Sequence, residues 1–105
     1  MSKAVTLSSM LIIAGHYLVD TAHRDAYVEA YCDLVTRARA APGCLDVAIT
    51  ADSVDARRVN MYERWQDEDT LAAFRAVADP PAVDVEMSDM QVSKFSVDRE
   101  TDPFD

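Results

Sequence analysis

The stretch Val59–Phe74, VNMYERWQDEDTLAAF, carries two structural periods back to back, and the change between them decides the fold. Its first half alternates. Val59, Met61, Glu63 and Trp65 fall on one face of an extended chain, and Asn60, Tyr62 and Arg64 on the other, as in a strand. Asp67 then offers a short carboxylate to cap a helix, with Glu68 and Asp69 in the first turn, where negative charge suits the helix dipole. Leu71, Phe74, Arg75 and Ala78 follow at helical spacing. The run Asp79-Pro80-Pro81 stops the helix. Trp65, the only tryptophan of the chain, thus stands where strand gives way to helix.

Upstream, Met10–Val19 (MLIIAGHYLV) is an uninterrupted apolar, partly β-branched run and reads as a first strand. Alternation puts Ile12, Ala14, His16 and Leu18 on one face and Ile13, Gly15, Tyr17 and Val19 on the other. Asp20-Thr21 supplies helix N-cap chemistry. From Ala22 to Ala41 the period becomes helical, with Tyr27, Ala30, Tyr31, Leu34, Val35 and Ala38 on one face and Glu29, Asp33, Thr36 and Arg37 opposite. Asp33 and Arg37, four apart, are spaced to pair. Pro42-Gly43 ends this helix. Leu45–Ala51 alternates as a second strand, and Asp52–Arg57 is a polar hairpin loop leading into the third.

Downstream, Pro81 is expected to open a short helical turn through Met87. Gln91–Val97 is a fourth strand, and residues 98–105 form an acidic tail. The domain therefore spans residues 10–97, preceded by a flexible segment 1–9. The order β-α-β-β-α-β defines an α+β, ferredoxin-like arrangement: one antiparallel sheet with two helices on one face. On this reading the other sheet face carries Ile13, Tyr17, Val19 and Tyr62. So apolar a face marks a partner surface, and a twofold homodimer with sheets packed face to face would bury it.

Composition narrows the partners. The 105 residues carry a net charge of −9, which disfavours nucleic acid and anionic membranes. No apolar run is long enough to cross a bilayer, and the start MSKAVTLSS has too short and too late an apolar run for a secretory signal, so a cytoplasmic protein is expected. The 2 cysteines, Cys32 and Cys44, lack the CxxC spacing of a zinc site and are too few for a disulfide framework. No metal ligand set is expected.

Taken together, the Pro42-Gly43-Cys44-Leu45 helix exit, the hairpin and Tyr62-Glu63-Arg64-Trp65 followed by Asp67 resemble the antibiotic biosynthesis monooxygenase domain family over about residues 10 to 97. The resemblance implies a dimeric α/β barrel. It also implies oxygenation of an electron-rich aromatic, such as a quinol or anthrone, by O2 without flavin, metal or heme. Heme-degrading members carry an Asn, a Trp and a His where this sequence has Ala14, Phe74 and Asp84, so heme degradation is disfavoured. Anthrone-oxidising members carry an Asn, a Trp and a Tyr where it has Met61, Trp65 and Leu71. The His that many members place near Phe74 is missing as well.

Cofactor-free oxygenation needs a base, a dry pocket and donors for developing negative charge. His16 is the candidate catalytic base, because histidine is the side chain suited to proton transfer near neutrality and His16 shares a strand face with Ile12 and Ala14. A hydrogen-bonded core histidine, or one at the dimer seam, is the alternative. His23 opens the first helix and is expected at the surface. Glu63, Trp65, Phe74 and Arg75 are candidate substrate-binding residues, with Glu63 paired to Arg75 across strand and helix. Tyr27 and Tyr31 bring phenols to the same region. A non-catalytic small-molecule-binding or accessory dimer of a biosynthetic pathway is the second functional reading.

Overall fold

The computed structural model describes residues 9–105; the leading segment 1–8 lies outside the described residues. The chain forms β1 (Met10–Leu18), α1 (Arg24–Ala30), α2 (Cys32–Ala40), β2 (Cys44–Ala51), β3 (Arg58–Trp65), α3 (Glu68–Arg75) and β4 (Ser88–Val97). The sheet is four-stranded and antiparallel, in the order β2-β3-β1-β4. This is the expected α+β, ferredoxin-like arrangement, with the helices on one face of the sheet.

The first helix departs from the expected single run over 22–41. It starts at Arg24, and Asp20 does not cap it. Instead the Asp20 carbonyl accepts from the His23 N–H at 2.9 Å and its carboxylate meets His23 Nδ1 at 3.1 Å, shaping the preceding turn. At Tyr31 (φ −88, ψ 0) the ladder tightens, with Tyr31 N–H donating to the Val28 carbonyl, and α2 begins. Asp33 and Arg37 pair at 2.8 Å, as their spacing requires. Asp67 caps α3 as read from the sequence: its side chain accepts from the Thr70 N–H at 2.8 Å. Gly43 (φ 81) turns the chain out of α2, and its carbonyl accepts from the Gln66 N–H at 2.8 Å, joining that turn to the exit of β3.

The β2–β3 hairpin is organised by Asp52. Its carboxylate accepts from the Asn60 amide at 2.9 Å and from the backbone N–H groups of Val54 and Asp55, and these donors, with Asn60 foremost, hold its pKa down to about 2. Arg24 Nη1 reaches the same loop, donating to the carbonyls of Asp55 and Arg58 at 3.0 Å each.

Two expectations are corrected. The helical turn over 81–87 does not form. Residues 78–87 are neither helix nor strand, and Pro81, Val83 and Val85 are half-buried while Ala82, Asp84 and Glu86 are exposed. That alternation has period two, which suits β-branched Val83 and Val85 in an extended chain.

The second correction concerns sheet faces. Ile13, Tyr17 and Val19 do not lie on the open face. With Leu11 they are buried beneath the helices, among Tyr27, Ala38, Val47, Val59, Trp65 and Leu71. The open face carries Ile12, Ala14 and His16, opposite Arg64, Tyr62 and Asn60 on β3 and Phe95, Ser93 and Gln91 on β4. Of the expected apolar set only Tyr62 lies there. Both sets on β1 are apolar enough to form a core. The helices choose the set that includes Leu11 and Tyr17, which offers more bulk to fill the space.

No described helix is long and apolar enough to cross a membrane. Residues 98–105 form neither strand nor helix, and Glu100 comes within 3.9 Å of Arg64.

Candidate functional site

Between the sheet and the helices lies a cavity of about 260 Å³. Its floor is Tyr17, Val47, Ile49, Met61, Glu63 and Val92 from the four strands; its roof is Tyr27, Tyr31, Leu34, Ala38 and Phe74 from the helices, with Met87 and Met90 at the side. The odd residues of β1 and β3 face this space because alternation fixes them once Leu11 and Trp65 enter the core. The lining is apolar apart from one carboxylate and three phenols, which is the usual make-up of a small-molecule site.

Glu63 is the carboxylate. Its Oε1 accepts from the Trp65 indole N–H at 2.9 Å, and the two residues are neighbours on one face of β3. This replaces the pair expected between Glu63 and Arg75. The helix ends at Arg75, whose side chain is exposed and does not line the cavity. Trp65 is fully buried, and its ring lies 5.5 Å from that of Phe74, so it backs the cavity wall through Glu63 and Phe74.

The phenols form a cluster. Tyr17 and Tyr27 share a hydrogen bond of 2.8 Å, their rings packed edge to face, and Tyr31 lies against Tyr27 with 4.9 Å between centroids. Burial pushes both the Tyr17 and the Tyr27 hydroxyl up from the ordinary phenol value, and for Tyr27 the hydrogen bonds of Tyr17 and Tyr31 add to it. Both therefore stay protonated donors at neutral and moderately alkaline pH. Tyr27 also donates to the Met87 sulfur at 3.4 Å.

The structure thus brings together Glu63, Trp65, Phe74, Tyr27 and Tyr31 of the predicted set and leaves out His16 and Arg75. His16 lies on the opposite side of the sheet, its cross-strand partners Asn60 and Gln91. Alternation made this necessary once Tyr17 turned inward. Tyr17 is the functional candidate the sequence reading passed over. Its signal was its shared face with Ile13 and Val19, which the sequence reading assigned to the open side. His23 is exposed beside a separate, more polar recess of about 420 Å³ near Asp20, Asp84 and Glu86. We place the site in the smaller cavity because that one is apolar, lies between the layers and holds the convergent polar groups.

Among the described residues no cluster of three or more His, Cys, Asp or Glu could hold a metal ion. Cys44 is half-buried, and burial, with the Asp46 and Glu63 carboxylates nearby, pushes its thiol up, so it stays a protonated, small apolar group. Cys32 is exposed.

An antiparallel four-stranded sheet roofed by helices over one apolar cavity defines an α+β domain of the small-molecule-binding type. The family profile described as "Antibiotic biosynthesis monooxygenase" matches residues 10–79, and the chain belongs to that family. Solved structures share the fold. A conserved protein of unknown function from Bacteroides thetaiotaomicron superposes with a TM-score of 0.66 at 20% identity, over 87% of this chain and 100% of its own. A Nitrosomonas europaea protein, titled "putative antibiotic biosynthesis monooxygenase", gives 0.64 at 18% identity, over 94% of this chain and 100% of its own. Rv0793 from Mycobacterium tuberculosis gives 0.59 at 20% identity, over 90% and 100%. No functionally curated protein matches the sequence.

Proposed function

We propose that the chain is a monooxygenase that binds a compact, electron-rich aromatic of the quinol or anthrone kind in the cavity of Glu63 and the tyrosines and oxygenates it with O2 directly. One observation carries this reading: a carboxylate and a pair of neutral phenol donors line a single, otherwise apolar cavity.

Glu63 takes the role first read for His16. With one oxygen held by the Trp65 indole, its carboxylate is oriented to accept a proton from an acidic C–H or O–H of the substrate. The resulting anion is rich enough in electrons to reduce O2. A carbon–oxygen bond forms, giving a peroxide, and loss of water leaves a carbonyl. The sum for an anthrone-like methylene is CH2 + O2 → C=O + H2O, so the substrate supplies the electrons and each oxygen atom is accounted for. Apolar walls from Val47, Ile49, Met61 and Phe74 exclude water from the anion, and the Tyr27 hydroxyl donates to the substrate oxygen on which charge gathers. At about 260 Å³ the cavity lies just below the roughly 300–1,000 Å³ usual for drug-sized ligands, which favours a compact ring system.

Oxygen uptake with a panel of hydroquinones and anthrones tests this. Turnover above buffer is expected, Glu63→Gln is expected to lower it about 100-fold, the low end for loss of a general base, and His16→Ala is expected to leave it unchanged. Binding of the panel without oxygen consumption would instead assign the accessory, non-catalytic role, which the replacement of family polar residues by Met61 and Leu71 favours.

The reading includes a homodimer through the open sheet face. Ile12, Ala14 and Tyr62 are half-buried there, and Phe95 is 52% exposed. Apolar surface on an open sheet face suits a covering chain. Light scattering is expected to give a dimer mass that Tyr62→Arg with Phe95→Arg reduces to a monomer; a wild-type monomer sinks this arrangement.

A further inference from the structure

We propose that the segment between Asp79 and Asp89 is a strap closing the cavity, and that the hydrogen bond from Tyr27 to Met87 is its latch. A ligand releases the latch by presenting a carbonyl or phenolate oxygen to Tyr27. The ligand clause rests on the function proposed above; the strap and its latch do not.

Four observations carry the inference. First, the segment is held by side chains. No backbone hydrogen bond joins residues 80–87 to another described residue. Second, its ends are marked by the two non-glycine residues with positive φ among the described residues, Asp79 (φ 47) and Asp89 (φ 51). Aspartate is one of the few residues that takes this conformation readily, so both are natural pivots. Third, the upstream pivot is fixed to α2: Arg37 donates to the carbonyls of Ala78 at 2.8 Å and Asp79 at 3.3 Å. Fourth, between the pivots Val83 and Val85 pack on the Tyr17–Tyr27 cluster, and Met87 closes the side of the cavity.

The latch is weak by its chemistry. A thioether is a poor acceptor, and 3.4 Å to sulfur is an ordinary contact for it. With its proton on Met87, Tyr27 accepts from Tyr17, so the phenol pair is already aligned to donate onward into the cavity. An oxygen of the ligand, above all an anionic one, is a stronger acceptor. Tyr27 exchanges Met87 for that oxygen, and residues 80–87 lose their side-chain hydrogen bond to the cavity just upstream of Ser88, which stays paired with Leu18. Opening exposes mainly Val83, Val85 and the edge of the Tyr17–Tyr27 cluster beneath them, since Met87 is already 47% exposed. The open state is then a local event well short of global unfolding.

Thiol–disulfide exchange at a half-buried reporter on the strap, Val83→Cys made together with Cys32→Ser and serving as the wild-type background, tests the latch in the ligand-free protein. Met87→Leu keeps the apolar bulk and removes the acceptor; exchange is expected to rise about fivefold, the equivalent of one modest hydrogen bond. Met87→Gln, whose side-chain carbonyl is a better acceptor, is expected to return exchange to the wild-type rate or below. Tyr27→Phe is expected to raise exchange at least as much as Met87→Leu, since it also loses the bond to Tyr17, and adding Met87→Leu to it is expected to add nothing, because the latch bond is already gone. Equal exchange in wild type and Met87→Leu overturns the latch, as does full additivity in the double variant. For the ligand, 1-naphthol is titrated against Trp65 fluorescence, since the indole touches two lining residues. Its association rate is expected to rise in Met87→Leu, and an unchanged rate overturns the gating role. If 1-naphthol does not bind the wild type, the substrate reading fails, while the exchange data still decide the latch.

Discussion

Trp65→Ala is expected to remove about 4 kcal/mol of folding stability, within the range for truncating a fully buried aromatic. Trp65 is 0% exposed and belongs to the cluster of Leu11, Ile13, Ala38, Val47 and Leu71, with Phe74 stacked on its ring. The cavity left behind opens at the junction of β1, β3 and α3, where the surrounding strands cannot collapse without breaking their ladders. A second cost follows from chemistry. Glu63 loses the indole N–H that accounts for one of its oxygens, and an unpaired carboxylate facing an apolar cavity is destabilising by a further 1–3 kcal/mol or so. Against a total of roughly 5–15 kcal/mol for an ordinary domain, the variant stands near the edge of folding. Urea unfolding followed by far-ultraviolet circular dichroism measures this without the lost fluorophore. A loss below about 2 kcal/mol would show that the strand-to-helix junction is looser than its burial implies. Trp65→Phe is expected to fall between, filling part of the space but leaving Glu63 without its donor.

Gly15→Ala is expected to be as damaging, by a different route. Gly15 sits in β1 at φ 152 with β4 alongside, and a Cβ built there runs into the backbone carbonyl of Gln91 and the Cα of Val92. Backbone cannot rotate away as a side chain can. Either β4 shifts or the β1–β4 pairing opens, next to the register shift between His16 and Leu18. A loss of more than about 3 kcal/mol is expected, or failure to accumulate as folded protein. Gly43→Ala provides the comparison. There the atoms nearest the new methyl all belong to the Thr70 side chain, although φ 81 still favours glycine. Its cost is expected to be the smaller of the two, and Thr70→Ala is expected to recover part of it. Parallel unfolding curves check the order; Gly15→Ala within about 1 kcal/mol of wild type would show that β4 yields freely at this point.

Much of the architecture was legible because its cues are local. The alternation of Val59–Trp65, the Asp67 cap, the Pro42-Gly43 stop and the polar hairpin at 52–57 each act within a few residues, and each formed where the sequence placed it. The element order then left few topologies, and the family profile over residues 10–79 agrees. Errors arose where two local solutions were close in energy. Pro80-Pro81 suits the start of a helix as well as an extended strap, and Val83 and Val85 settle it by packing on Tyr17 and Tyr27. The long helical run was broken at Tyr31, where its ring lies against Tyr27.

The candidate site was legible in membership more than in roles. Glu63, Trp65 and Phe74 were found because strand and helix periods place them near one junction. Glu63 was paired with the wrong partner because a residue two positions along the same strand is nearer than one across to the helix, and Trp65 offers a donor there.

The sequence by itself determined which residues travel together: Ile12 with Ala14 and His16, Leu11 with Ile13 and Tyr17, Met61 with Glu63 and Trp65. A period of two fixes such sets and says nothing of which set faces inward. On β1 both sets are apolar, so only the tertiary structure decided. The helices required the bulk of Leu11, Ile13 and Tyr17 beneath them, and that choice turned His16 away from the cavity. It also brought the hydroxyls of Tyr17 and Tyr27 within 2.8 Å of each other inside it.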